Sequence, residues 1–256
     1  MKPRRRPRAY FNLRSPYSWM ALDQLERRFP RAGELIDYYP LWEPEAGLRE
    51  ALHERGAEVL YRPMSKAKHL YILSDVKRTA TRLGYPLAWP VDSEQDWDLP
   101  HLAWLAARRE GRHRPLYRAL VETRWHRGEP INSPEAVVGA GEAAGLDGAA
   151  LLAAARSPQV RAEAVDVLEA AYEDDIFGMP YFRIGRERLW GLDRLDEFVS
   201  ALHRAWPEAE ADGPARTDGP ARTDGPAADA DPLAGVPAEL LTKAGSYDTD
   251  TAGACG

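Results

Sequence analysis

The sequence predicts an α/β fold built from two separated pieces, a β-α-β start and a β-β-α finish, held apart by a large all-helical insertion and followed by a disordered C-terminal tail. Three observations predict it. An aromatic, extended run at 9–14 passes directly into a helical pattern opened by Ser15-Pro16, and helical periodicity dominates from about residue 44 to 172. From Pro207 onward the chain turns to Ala, Asp, Gly, Pro and Thr, with DGPART at 212–217 repeated at 218–223.

The first helix is expected from Ser15-Pro16 to about Phe29. Proline fits an opening turn because its missing N–H is one the helix does not use, and a serine just before it supplies an N-cap oxygen. Residues 34–42 (ELIDYYPLW) are rich in β-favouring side chains and read as a second strand, parallel to the first across that helix. The insertion reads as helices at 67–83, 99–110, 112–127, 134–144, 149–155 and 158–172, separated by Gly and Pro breaks. Residues 180–184 and 187–190 form an expected hairpin turning at Gly185-Arg186, and 193–205 a closing amphipathic helix.

This order of elements is that of a thioredoxin-like fold. Its expected parts are a basic N-terminal tail at 1–8, a thioredoxin-like domain from 9–43 and 173–206, a helical insertion domain at 44–172, and a low-complexity tail at 207–256. The repeat has almost nothing to bury, so it is read as disordered. The apolar patch at 236–241 reads as a tolerated extension ahead of a short helix or docking segment. Met179-Pro180 falls just before the hairpin, where this fold places a cis-proline loop facing the first helix's N-terminus, and X-Pro bonds are the ones that readily become cis.

Composition removes several function classes. The net charge is −6, with cations interleaved among acids beyond the basic start at 2–8, so no nucleic-acid partner is expected. No run approaches the ~20 apolar residues of a membrane span, and no signal-peptide pattern follows the basic start. A cytoplasmic location without membrane contact is the expectation. Cys255 is the only cysteine, which rules out an intrachain disulfide, a C-x-x-C redox pair and the usual Cys/His zinc sites. The six histidines lack metal-ligand spacing, so no metal is expected. Trp89, Trp97, Trp104 and Trp125 in the insertion read as core.

Four blocks stand out: residues 10–21 (YFNLRSPYSWMA), the spacing Lys68-x-x-Tyr71-x-x-x-Asp75-x-x-Arg78, residues 178–184 (GMPYFRI) and residues 189–195 (LWGLDRL). Together they resemble one family, the DsbA-like group of 2-hydroxychromene-2-carboxylate isomerases and kappa-class glutathione transferases. The resemblance puts Ser15 where a redox relative carries its reactive cysteine. It implies that Ser15 hydrogen-bonds the sulfur of glutathione or another low-molecular-weight thiol at a helix N-terminus, where backbone amides favour an anion. Met179, before Pro180, would offer its backbone to the cysteinyl part, and Asp193 and Arg194 would hold the γ-glutamyl end. Lys68 joins this thiol-binding set, while Tyr71 and Arg14 are candidates for the substrate side; Asp75 and Arg78 read as structural. Plainer readings stand beside these: Ser15 and Asp193 as helix caps, Met179 as a hydrophobic loop residue, and the Lys68 face as solvated charge.

The activity implied is cis/trans isomerisation of a conjugated unsaturated acid, thioester or aromatic-degradation intermediate by thiol addition, rotation and elimination, without disulfide chemistry. A kappa-like glutathione transferase and a non-catalytic binding or accessory protein are the alternatives. The expected partner is a small molecule, free or bound to a carrier or CoA, and relatives of this kind imply a homodimer.

Overall fold

A computed structural model of the chain describes residues 6–62, 65–92, 96–207 and 231–244. Four short strands form one sheet in the order β2-β1-β3-β4, with β1 (Arg8–Phe11) parallel to β2 (Asp37–Pro40), antiparallel to β3 (Tyr181–Ile184), and β3 antiparallel to β4 (Glu187–Trp190). Both halves of the chain therefore meet in the centre of the sheet. Tyr10 and Phe11 of β1 and Phe182 of β3 are fully buried, and Phe182 stacks on Phe198 at 4.7 Å between ring centres.

Between β1 and β2 run α1 (Pro16–Arg28) and the single turn α2 (Ala32–Leu35). Ser15 caps α1 with extended backbone, its Oγ accepting the Ser18 N–H at 3.1 Å, and Pro16 occupies the first turn as expected. Then come α3 (Ala46–Glu54), α4 (Lys66–Leu83), α5 (Asp98–Arg109), α6 (His113–Val121) with a π-helical turn at Glu122–His126, α7 (Pro134–Ala143), α8 (Gly148–Ala155) and α9 (Pro158–Glu173). After β4, a 3-10 turn at Leu192–Arg194 leads into α10 (Leu195–Ala205). Serine or aspartate side chains cap α4, α7, α8 and α9, which is why those starts were readable locally.

The insertion shares its core with the sheet. Buried residues of β1, α1, α5, α9, β3 and α10 belong to one continuous apolar cluster, with Trp104 of α5 packed edge-on against Phe11 at 5.2 Å. At the end of α9, Asp174 accepts from Arg8 at 2.7 Å and from the Tyr10 hydroxyl at 2.5 Å, and it pairs with Arg183 of β3. This carboxylate joins the insertion to both central strands.

Three local features differ from the expectation. Residues 46–54 form α3, whose amphipathic signal is only Leu48 and Leu52, too little to register as periodicity. Glu34 and Leu35 belong to the turn α2, so the second strand is confined to 37–40. The helix expected at 112–127 changes to π-helical geometry at Glu122.

Within the expected tail, residues 231–244 are docked. Val236 and Leu240, the latter on the short helix α11 (Ala238–Lys243), pack on Leu73 of α4, with Leu70, Trp89, Val91, Leu233 and Leu241 around them. Lys77 Nζ donates to the Ala234 carbonyl at 2.5 Å and Lys243 Nζ to the Asp92 carbonyl at 3.2 Å. The apolar patch at 236–241 is thus a docking segment rather than a bare extension. The repeats and Cys255 lie outside the described residues, as do residues 1–5 of the basic start.

Candidate active site

A cleft of about 1040 Å³ runs between two walls. One is the exposed side of α4, with Lys68, Tyr71, Asp75, Arg78 and Arg82. The other comes from the sheet and the turn after it, with Pro180, Trp190 and residues 191–196. Tyr17, Gln24 and Arg28 of α1 lie between them. Helical spacing of three and four residues puts the α4 side chains on one side, so the sequence pattern alone makes a continuous polar wall.

Side chains of α1 tie the walls to the floor. The Tyr17 hydroxyl donates to Asp75 at 2.5 Å, Arg78 pairs with the same carboxylate, and Arg28 pairs with Asp196 at 2.6 Å. Arg194 pairs with Glu197 at 2.7 Å and lies 3.8 Å from Asp193. Lys68 and Arg82 have no side-chain hydrogen bond or ion pair among the described residues. The cleft therefore carries uncommitted positive charge on α4 facing the Asp193-Arg194 turn.

Ser15, Met179 and Arg14 are buried and do not line this cleft. Ser15 is fully buried, its N–H donating to the Asn12 carbonyl at 3.0 Å. A hydroxyl has one hydrogen and two lone pairs, so accepting from Ser18 leaves its hydrogen to donate. The Met179-Pro180 bond is cis, and Pro180 brings this loop to the cleft while Met179 stays buried. The segment before Ser15 is fixed from below: the Leu13 N–H donates to His101 Nε2 at 3.2 Å, which makes Nδ1 the protonated nitrogen, donating to the Trp97 carbonyl at 2.6 Å. His101 is completely buried and stacked on Trp42, and burial lowers its pKa to about 3, so it is neutral at physiological pH.

Arg14 turns toward a second, buried group of charges. Its guanidinium lies 5.1 Å from the Trp97 ring centre and that of Arg124 lies 4.8 Å from it, while Arg124 grips Asp92 through two bonds of 2.7 and 2.9 Å. Burial alone would raise the Asp92 carboxyl, but Arg124, with Arg14 and Lys243 nearby, holds it below the usual carboxylate range. Asp92 and Arg124 carried no motif, and only their proximity in the fold distinguishes them from solvated charges.

The DSBA-like thioredoxin domain family matches residues 8–203. This chain belongs to that family. Within the DSBA-like family it is similar to a 2-hydroxychromene-2-carboxylate isomerase from Sphingobium xenophagum, 29% identical over 197 residues that span 75% of this chain and 95% of the relative. It is also similar to glutathione S-transferase kappa 1 from Homo sapiens, 24% identical over 216 residues covering 77% and 90%. A solved 2-hydroxychromene-2-carboxylate isomerase superposes with a TM-score of 0.58 at 20% identity, over 81% of this chain and 99% of that one, which supports the DSBA-like fold.

Of the residues singled out by sequence, Lys68, Tyr71, Pro180, Asp193 and Arg194 converge on the cleft. Tyr17 and Trp190 were missed, although both stand inside matching blocks. Tyr17 reads as an ordinary aromatic next to a cap, and Trp190 as a strand residue, until the opposite wall is in place. Among the described residues no group of acidic, histidine or cysteine side chains is arranged to hold a metal, and no helix is long and apolar enough to cross a membrane.

Proposed function

We propose that this protein is a thiol-dependent cis/trans isomerase acting on a conjugated unsaturated acid, its thioester or an aromatic-degradation intermediate, and that it performs no disulfide exchange. The observation that carries this is Ser15: a hydroxyl that accepts from Ser18 and has no acceptor for its hydrogen among the described residues, at the N-terminus of α1, in a chain with a cis Met179-Pro180 bond and Cys255 as its sole cysteine. A bound low-molecular-weight thiol supplies, as its thiolate, a nucleophile whose reversible conjugate addition gives a double bond temporary single-bond character.

The residues present fit such a thiol. Lys68 offers a cation without a side-chain partner among the described residues, Asp193 and Arg194 offer a carboxylate and a guanidinium side by side, and Pro180 lines the same cleft. Glutathione has the ammonium and carboxylates that this set recognises; Met179 would add backbone contacts. Ser15 and the positive end of the α1 dipole favour an anionic sulfur and so lower the pKa of a thiol placed there. Because Ser15 is fully covered, a thiol reaches it only after the residues over it are displaced. Tyr71 lines the cleft and serves the substrate side, whereas Arg14, turned to Trp97, takes no direct part. The reaction needs no metal, and a cytoplasmic homodimer is the expected working form.

The test is incubation with conjugated aryl-alkenoic acids in the presence and absence of glutathione. Isomerised product with the thiol unconsumed supports the proposal, a stable thiol adduct replaces it with a transferase, and neither product nor adduct overturns it in favour of a binding role. Ser15→Ala is expected to lower turnover at neutral pH by about 10- to 100-fold, with the loss shrinking as pH rises, because losing a hydrogen bond to the thiolate raises the pKa of the bound thiol.

A further inference from the structure

An exposed aromatic ring in a charged cleft is a feature that folding alone does not require. Tyr71 on α4 is 61% exposed and Trp190 at the end of β4 is 42% exposed, and both line the same cleft from different elements. Trp190 is also held in place. A Cβ at Gly178 would fall 2.4 Å from the indole Nε1, so the ring lies directly on the backbone before Met179-Pro180. Phe177 packs edge-on against it at 5.0 Å, and is itself braced edge-on by Tyr181 at 5.6 Å. The indole is thus seated against the Gly178 backbone and the Phe177 ring, and it lines the cleft.

We propose that Trp190 is a specificity-determining residue, forming with Tyr71 an aromatic clamp for the flat, conjugated part of a carboxylate ligand. This deepens the isomerase reading and rests on it for the chemistry, though not for the binding. A rigid ring has little side-chain entropy left to lose, so the seat at Gly178 and Phe177 makes stacking on Trp190 more productive than stacking on a free tryptophan. Flat aromatic and conjugated systems gain from offset stacking beyond the area they bury, which a puckered ring of equal size does not. The carboxylate has a partner close by in Arg82, which lines the same cleft, stands outside the thiol-binding set and has no side-chain partner among the described residues. A saturated acid would satisfy this cation and leave the rings unused. Selection for planarity therefore comes from the rings, and attraction for the acid from α4.

The experiment compares 2-naphthoate with its saturated counterpart, decahydro-2-naphthoate, by calorimetric titration into the full-length protein. Both carry the same carboxylate on frameworks of the same connectivity, and neither needs thiol or turnover. The unmodified protein is expected to prefer 2-naphthoate by about 3- to 10-fold. Trp190→Leu should bring that ratio close to 1, Trp190→Phe should keep part of it, and Tyr71→Leu, which leaves the sheet untouched, should reduce it as well. Equal binding of the two acids by the unmodified protein, or an unchanged ratio in both leucine variants, overturns the clamp. If the ratio behaves as expected while no alkene is isomerised, the clamp stands and the isomerase reading falls. Turnover with an unaltered ratio in the leucine variants keeps the isomerase reading and removes the clamp.

Discussion

One wall of the cleft grows out of the central sheet, whereas the other rests on α1 and on a segment that returns from the far end of the chain. Pro180, Trp190 and the turn at 191–194 follow directly from β3 and β4, and Phe182 and Phe198 beneath them are fully buried. The buried residues of α4 are divided instead: Ile72 and Val76 reach the main core, Ala80 joins a small group around Trp19, and Leu73 meets only the docked segment and its neighbours. The sheet wall shares the cooperativity of the whole fold, while the α4 wall has local supports that can be removed one at a time. The half of the site that fixes the cis-proline loop is thereby separated from the half that carries the uncommitted cations.

Phe182→Ala attacks the sheet wall and carries the largest expected effect. Emptying that core position should cost about 3–5 kcal/mol in urea unfolding, and loss of the whole fold, not of the cleft alone, should accompany it. If the protein instead keeps its global stability and loses only ligand binding, the sheet wall is less integrated than the packing indicates.

Acid titration tests the loop that brings Ser15 to α1 on this fixed side. His101 is neutral in the fold with its pKa lowered to about 3, whereas an unfolded histidine titrates near 6.5. The unfolded chain thus binds the extra proton first, so the contribution of His101 is complete above about pH 6.5 and declines as the pH falls toward 3. The slope from this one group reaches at most about 1.4 kcal/mol per pH unit. His101→Gln should flatten that part of the stability profile, and an unchanged profile would mean that other groups dominate it.

Smaller effects are expected on α4. Tyr17→Phe removes the donor to Asp75, which stays paired with Arg78, and should cost about 1–2 kcal/mol with faster amide exchange concentrated in α4. Ending the chain after Ala230 should cost less than about 1 kcal/mol globally. It should nevertheless raise exchange around Leu73 and increase KM for the thiol by roughly 2- to 5-fold, since α4 would be in its binding arrangement for a smaller fraction of the time. Equal exchange in the shortened and complete chains would mean that the docked segment does not support α4.

What was legible in the sequence follows the same division. Ser15-Pro16, the hairpin around Gly185 and the capped helices announce themselves through residues only a few positions apart, and these gave the thioredoxin-like frame. The blocks at Lys68–Arg78 and 189–195 named two sides of the cleft. That Ser15 is buried, that Tyr17 joins α1 to α4, and that Arg14 turns to Trp97 depend on contacts between segments far apart in the chain. No local pattern encodes those. Residues 231–244 escaped for a related reason: four apolar side chains in a polar tail look inconsequential until Leu73 is left uncovered on α4.

The docked segment has one more property, which comes from being joined to the body it binds. Residues 208–230 join it in sequence to the rest of the chain, so its contact with α4 is an internal one whose extent does not depend on the concentration of the protein. A single cut anywhere in that interval leaves every atom of the contact in place, yet turns an internal association into an encounter between two molecules. At cellular dilution the segment would then leave, and α4 would lose its outer support through a change made far from the cleft.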